Sequence, residues 1–282
     1  MHGMRGKALC EDLQVRHTMA AILLLASGAA FFAPTTAAAA HRRAAARLCA
    51  ADSRDGPRVR RLLPGNNDEC RKLSSLLVTA FYGEHAPLSG PLAWAQRGII
   101  ETDVETDLAA RLRFYEAARS GEMPNLGAVF VAEDSDELLG FVDVGLPAYN
   151  PATGRFVLPK GDAQVDASDD TELRPYVSNL AVQPAARNRG VGRLLMEECE
   201  RELQRWGLSY DELWLEVSLQ NDAVEFYRKM GYEQTAQTDG NEVVRRAFYF
   251  ELTKVKRAVM RKRIATASAA GEDSRKQLVE LE

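Results

Sequence analysis

The sequence predicts an α/β fold with a mixed, twisted sheet of about six to seven strands flanked by helices. Two observations carry this. Apolar runs of strand length alternate with amphipathic helical patterns from Arg58 to Leu252. Twice in the second half, an apolar strand passes through a short turn into a helix: Val177–Val182 into the helix after Gly190, and Leu213–Val217 into the helix that closes at Gly231. Hairpins before and after these strand-to-helix units make the sheet mixed rather than all parallel.

The elements follow in order. Arg58 to Leu63 is a first strand, and Pro64-Gly65-Asn66 turns the chain. Asn67 or Asp68 caps a helix running to about Tyr82. Gly83 to Gly98, with Pro87 and Pro91, reads as a loop. Asp103 or Thr106 starts a second helix, with Leu108, Leu112 and Tyr115 on one face, ending near Gly121. Gly127–Ala132 and Leu138–Gly145 form a hairpin across the polar turn Glu133–Glu137. Pro147 to Thr171 is long for a loop inside a domain, and is either a substrate loop or a small extra hairpin around Arg155-Phe156-Val157-Leu158. After the two strand-to-helix units, Glu233–Ala236 and Arg245–Leu252 close the sheet as an antiparallel pair. Residues 253–282 read as a charged tail, either a fraying helix or disordered.

Composition excludes several classes. The 282 residues carry a net charge of −4, so no basic field argues for nucleic acid. The four cysteines show no metal spacing, and the four histidines do not cluster, so no metal site is expected. Cys70 and Cys199 fall on predicted helices. The apolar run Ala20–Pro34 follows Arg16 and His17, is short and alanine-rich, and has the shape of a signal peptide. From Ala33 to Ala51 no acid occurs while Arg42, Arg43 and Arg47 do, which is transit-peptide composition.

The most informative chemistry lies at Arg187-Asn188-Arg189-Gly190-Val191-Gly192-Arg193. A helix start presents unpaired N–H groups and partial positive charge. Gly190 and Gly192 let a ligand approach the backbone, and three arginines add full charges. This is an anion site, for a phosphate or pyrophosphate. It is not a nucleotide P-loop, because Arg193-Leu194 follows the second glycine where Lys-Ser or Lys-Thr is required. It is not a dinucleotide fingerprint either, because Leu195 occupies the third glycine position.

The Arg-x-x-Gly-x-Gly turn after the Asn179-Leu180-Ala181-Val182 strand resembles motif A of the GNAT superfamily of acyl-CoA-dependent N-acetyltransferases. A second block, Gln220-Asn221-Asp222-Ala223 through Tyr227 to Gly231-Tyr232, is similar to motif B of that family, with the Asn one residue late. The resemblance spans about Val59 to Leu252, and the wording of the Ser-Asn-Leu-Ala-Val strand resembles plastid GNATs that acetylate protein lysines and N-termini. It implies a GNAT fold at residues 58–252, splayed between the motif A and motif B strands. Acetyl-CoA would be the cosubstrate, with Leu180, Ala181 and Val182 along its pantetheine arm and Arg187, Asn188, Arg189, Gly190, Val191, Gly192 and Arg193 at its pyrophosphate. Asn221 and Tyr227 would complete the coenzyme contacts, and no metal is implied.

The same resemblance makes Tyr227 the acid for the departing thiolate, since a phenol can protonate a thiolate. Glu216 is the candidate base, because Leu213, Leu215 and Val217 share one strand face and leave Glu216 on the other. It reads equally as a glutamate in a cross-strand pair. Tyr176 is a further candidate for positioning the amine. The acids Asp162, Asp166, Asp169, Asp170 and Glu172 either attract a cationic acceptor or form a solvated loop.

The expected reaction is direct acetyl transfer to a primary amine, on protein N-termini or lysines. A small-molecule amine acetyltransferase, for a polyamine or amino acid, and a non-catalytic acyl-CoA-binding module are the alternatives. The junction at Phe31-Phe32-Ala33-Pro34 resembles the cleavage motif of bipartite plastid presequences in algae with complex plastids. Residues 1–51 are therefore expected to be a plastid targeting presequence, with a plain secretory signal as the alternative and no stable membrane association after processing.

Overall fold

The computed structural model describes residues 56–82, 91–121, 126–157, 170–206, 210–245 and 250–264. The expected presequence, the acids at 162, 166 and 169, and the last part of the expected tail lie outside them. Strand β1 (Arg58–Arg61) leads to helices α1 (Asn67–Tyr82) and α2 (Pro91–Arg119). Strands β2 (Gly127–Asp134) and β3 (Glu137–Gly145) form the expected hairpin. Three short strands follow, β4 (Ala148–Asn150), β5 (Arg155–Val157) and β6 (Glu172–Leu173). Then come β7 (Tyr176–Val182), α3 (Val191–Arg205), β8 (Glu212–Ser218), α4 (Ala223–Lys229), β9 (Glu233–Arg245) and β10 (Phe250–Arg263).

The main sheet has seven strands in the order β1-β2-β3-β7-β8-β10-β9. Only β7 and β8 run parallel, joined by α3; every other neighbour pair is antiparallel. The mixed sheet is as expected. Its two faces bury separate cores. Val142, Val144, Val177, Leu213, Leu215 and Met260 pack under α3 and α4. Val129, Val131, Phe141 and Ala181 pack under α1 and α2. The extra hairpin around Arg155–Val157 exists, and β4 also pairs with β6, so β5-β4-β6 is a separate three-stranded sheet. Through Phe156 it packs on Tyr176, Trp214 and Val259 of the main sheet.

Two expectations are corrected. Helix α2 begins at Pro91, inside the segment read as a loop, and not at Asp103 or Thr106. Proline is well suited to a first helical position, where its missing N–H has no partner to lose. Gly98 within the helix costs about 1 kcal/mol relative to alanine, and tertiary contacts offset it. Arg97 pairs with Glu101 at 2.8 Å and donates to Thr79 Oγ1 at 3.0 Å and Ser75 Oγ at 3.2 Å on α1.

The second correction concerns the domain end. Residues 253–263 are not a tail but the larger part of β10, an internal strand between β8 and β9, so the domain reaches Ile264 rather than Leu252. Ala258, Val259 and Met260 are fully buried because both sheet faces are covered here. The charges that suggested a tail are taken up by neighbours: Arg261 pairs with Glu212 at 2.8 Å and Lys262 with Glu200 at 2.7 Å.

One buried charge pair ties α2 to the sheet. Asp143 on β3 is 1% exposed and accepts from Arg111 at 2.6 Å and from the Tyr115 hydroxyl at 2.9 Å. A Cβ at Gly127 would lie 2.1 Å from the Tyr115 ring, so the bare glycine on β2 is what admits that ring. The multiple hydrogen bonds are what make a charge tolerable at this depth.

Candidate active site

The parallel strands β7 and β8 pair at only two positions, Tyr176 with Trp214 and Val177 with Leu215, and then part. The cause lies on the other side of β7. Phe141 on β3 opposes Ala181 while Asp143 opposes Ser178, so β7 carries an extra residue across from Val142. Asn179 adopts φ 55°, a left-handed conformation that asparagine tolerates and β-branched residues do not. This is a bulge, and bulges bend the strand that carries them. Past it, Gly140 on β3 gives the room for β7: a Cβ there would come within 2.6 Å of the Ala181 carbonyl. The β7 backbone from Ser178 onward therefore faces a gap instead of a strand.

At the end of β7 the chain enters α3 through a turn with Asn188 at φ 61° and Gly190 at φ 82°. The first helical bond runs from the Leu194 N–H to the Gly190 carbonyl at 3.0 Å. Among the described residues no side chain caps this end, so the amides of Val191, Gly192 and Arg193 point out of the helix with its positive dipole. Nothing lies within 4 Å of a Cβ built on Gly190, whereas one on Gly192 would touch Phe226 at 3.4 Å and Val182 at 3.7 Å. Gly190 thus supplies the open turn, and Gly192 supplies close packing between α3, α4 and β7.

The predicted arginines divide. Arg187 donates to the Ala80 carbonyl of α1 at 3.3 Å, and Arg189 pairs with Asp134 at 3.4 Å. Arg193 is exposed on the first turn of α3. The three strand residues divide as well. Leu180 and Val182 are half-buried on the α3 side, but Ala181 is buried on the α1 side, so it reaches the gap through its backbone alone. Asn221 is exposed and its Oδ1 accepts from the Ala223 N–H at 2.9 Å, capping α4.

Tyr176 and Glu216 lie on one face of the sheet where the strands part, and Tyr227 lies on the other. Tyr227 comes up from α4 among Val217, Phe226 and Tyr232, with ring centroids 5.2 Å from Phe226 and 5.9 Å from Tyr232. Burial pushes its phenol above the ordinary tyrosine value. Glu216 projects from the opposite face of β8, beside Trp214 and Tyr176. Burial raises its carboxyl above the ordinary value, against the pull of Arg257 and Arg155. Tyr176 is buried, hydrogen-bonded to the Glu216 backbone, and raised by that burial, with the Glu216 carboxylate adding to the rise and Arg257 opposing it. A carboxyl and a phenol on one face and a second phenol on the other thus flank the β7–β8 pair.

Sequence reasoning had no hold on three features. Asn179 sits in an apolar strand, and its residue type was the one available hint of a bulge. Arg257, facing Glu216 at 3.7 Å, was assigned to the tail. Arg174 lies over the rings of Tyr149 at 4.1 Å and Trp214 at 4.5 Å, and pairs with Glu172. With Phe156, 4.5 Å from Tyr176, it closes the β8 face next to Glu216.

Residues 125–234 match the family model described as the acetyltransferase (GNAT) domain. The match contains the hairpin, the bulged strand, the glycine turn and α4, and the α/β fold with its mixed seven-stranded sheet is the GNAT fold. No curated protein matches the chain. Among solved structures, a GNAT-family acetyltransferase from Streptococcus pneumoniae is similar, at 15% identity and TM-score 0.45, covering 74% of this chain and 99% of that one. The PaiA N-acetyltransferase from Thermoplasma acidophilum, solved with coenzyme A, shows 16% identity and TM-score 0.45 over 74% of this chain and 99% of its own. A ribosomal-protein-alanine N-acetyltransferase from Brucella melitensis shows 16% identity and TM-score 0.43 over 73% of this chain and 99% of its own.

Proposed function

We propose that this chain, whose residues 125–234 match the acetyltransferase (GNAT) domain, is an acetyl-CoA-dependent N-acetyltransferase that passes acetyl directly to a primary amine on protein N-termini or lysine side chains in the plastid. The observation that carries the transferase reading is the alignment of three features along β7: the bulge at Asn179, the parted β7–β8 edge, and the open Gly190 turn at the head of α3. Together they make a slot with unpaired backbone donors at one end and titratable groups at the other.

Bound acetyl-CoA supplies an acetyl thioester. The amides of Val191, Gly192 and Arg193 hold its pyrophosphate, with Arg193 adding charge. The unpaired β7 backbone beyond Val177 holds the pantetheine arm and offers N–H donors to the thioester oxygen. Glu216 takes a proton from the acceptor ammonium, whose nitrogen otherwise has no lone pair. Tyr227 returns a proton to the thiolate from the other face, and Tyr176 positions the amine between them. The acceptor class rests on the Ser178-Asn179-Leu180-Ala181-Val182 wording and the targeting pattern of residues 1–51.

Gly190→Asp is the test of the coenzyme site. Aspartate is among the residues that best tolerate a left-handed turn, so the variant is expected to fold, checked by circular dichroism, while its carboxylate stands against the pyrophosphate. Calorimetry is expected to show acetyl-CoA affinity reduced at least about tenfold, roughly 1.4 kcal/mol; unchanged affinity overturns the site. The acceptor is tested by mass spectrometry on N-terminal peptides, lysine peptides and polyamines. Polyamine preference would favour a small-molecule enzyme, and binding without turnover a non-catalytic module. For targeting, residues 1–51 fused to a fluorescent protein should reach the plastid of a complex-plastid alga; secretion overturns that part.

A further inference from the structure

The candidate base is held by a residue outside the two motif blocks. In the β10 register, Val259 opposes Glu216 and Arg257 opposes Ser218, so Arg257 is a diagonal neighbour of Glu216 on the same face. Its Nη1 lies 3.7 Å from Glu216 Oε2, and its Nη2 donates to the Asn241 carbonyl of β9 at 2.7 Å. The guanidinium reaches both because it lies flat across Gly240. A Cβ at Gly240 would stand 2.7 Å from Arg257 Nε, 3.0 Å from Cδ and 3.1 Å from Cζ. Gly240 has no positive φ and makes no turn; it is an ordinary strand position, opposite Val255. What its missing side chain provides is the seat of the guanidinium.

We infer that Arg257, laid across the bare backbone of Gly240, is the positioning residue of Glu216. The inference rests on Glu216 being the base of the proposed transferase. With one nitrogen anchored to β9, the guanidinium cannot follow the carboxylate into the gap, so it holds Oε2 back and leaves Oε1 toward the acceptor. The groups facing Glu216 come from each packed element. Arg257 comes from β10, Arg155 from β5 and the Tyr176 hydroxyl from β7, while Tyr227 of α4 acts on Tyr176 from the far face. Asp239 on β9 is paired with Lys256 at 2.5 Å and also feels Arg155. Burial raises the Glu216 carboxyl and the two arginines oppose it. Removing Arg257 removes one of the two oppositions, so the carboxyl then keeps its proton to higher pH, and a base that must be ionised loses activity on the acid side.

The experiment is the pH profile of kcat/KM with a peptide acceptor, alongside acetyl-CoA affinity, for Arg257→Gln, Gly240→Ala, Arg257→Lys and Glu216→Gln. Gly240→Ala touches neither Glu216 nor the coenzyme, and displaces only the far end of a flexible side chain. Arg257→Gln and Gly240→Ala are each expected to move the acid limb up by about one pH unit, the lower end of what a neighbouring charge does, because Arg257 is partly exposed. Acetyl-CoA affinity stays at the wild-type value, and Arg257→Lys recovers part of the shift. Glu216→Gln abolishes the limb. An acid limb at the wild-type position in folded Arg257→Gln and Gly240→Ala overturns the inference. If Glu216→Gln keeps both limb and turnover, Glu216 is not the base and the inference falls, while acetyl transfer itself stands.

Discussion

The proposed mechanism gives Tyr227 a catalytic role beside its packing role, and a single substitution separates the two. Its ring is part of the α3–α4 core, between Phe226 and Tyr232, and the proposed mechanism uses its hydroxyl as the acid for the thiolate. Tyr227→Phe keeps the ring and removes only the hydroxyl. General acids contribute typically about 10²–10⁴-fold, so kcat is expected to fall within that range while acetyl-CoA affinity holds, measured by steady-state kinetics beside calorimetry. A variant with full kcat and an altered melting temperature would make Tyr227 a packing residue. Burial raises its phenol, which keeps the proton on the hydroxyl at neutral pH and makes it a donor rather than a base.

At the scale of the element, the decisive feature is a bulge. One left-handed residue, Asn179, shifts the register of β7 against β3 and ends its pairing with β8 after two positions. Asn179→Val puts a β-branched side chain into that conformation, at a cost of about 1–3 kcal/mol. The strand relieves this by straightening, which closes the slot. The variant is expected to melt lower and to bind acetyl-CoA more weakly, whereas Asn179→Gly keeps both; calorimetry and thermal melts on the pair decide. Equal behaviour of the two variants would show that the parting of the strands does not depend on the bulge. The small sheet β5-β4-β6 acts at the same scale. With Phe156 against Tyr176 and Arg174, next to β6, over Trp214, it covers the β8 face beside Glu216.

For the whole molecule, β10 is the strand that makes the second half of the sheet one body. It pairs with β8 over Arg257–Arg263 and with β9 along nearly its whole length. It also brings Arg257 to Glu216. A chain ended at Leu252 loses the entire β8 pairing and the buried Ala258, Val259 and Met260, and is expected to be insoluble or unfolded by circular dichroism. A chain ended at Ile264 retains every sheet pairing described here and is expected to melt as the longer chain does. Cooperative melting of the shorter chain would contradict the assignment of β10 as an internal strand. Among the described residues no helix is long and apolar enough to cross a membrane.

Sequence by itself determined the type of most elements between Arg58 and Val217, the mixed sheet, the glycine turn at the head of α3 and the two faces of β8. Each of these depends on local chemistry: alternation along a strand, helical periodicity, a glycine at positive φ, a missing P-loop lysine. It placed Glu216 opposite Leu213, Leu215 and Val217 correctly because strand side chains alternate strictly. What only the tertiary structure decided are features in which a distant partner overrides the local signal. Helix α2 starts at Pro91 because Arg97 is anchored on α1, 18 and 22 residues away in sequence. The basic run at 254–263 is an internal strand because its apolar residues are buried and Glu212, Glu200 and Glu216 on neighbouring elements receive several of its charges. Arg257 meets Glu216 only through strand register and the bare backbone of Gly240, since side chains so far apart in sequence are brought together by packing and never by pattern.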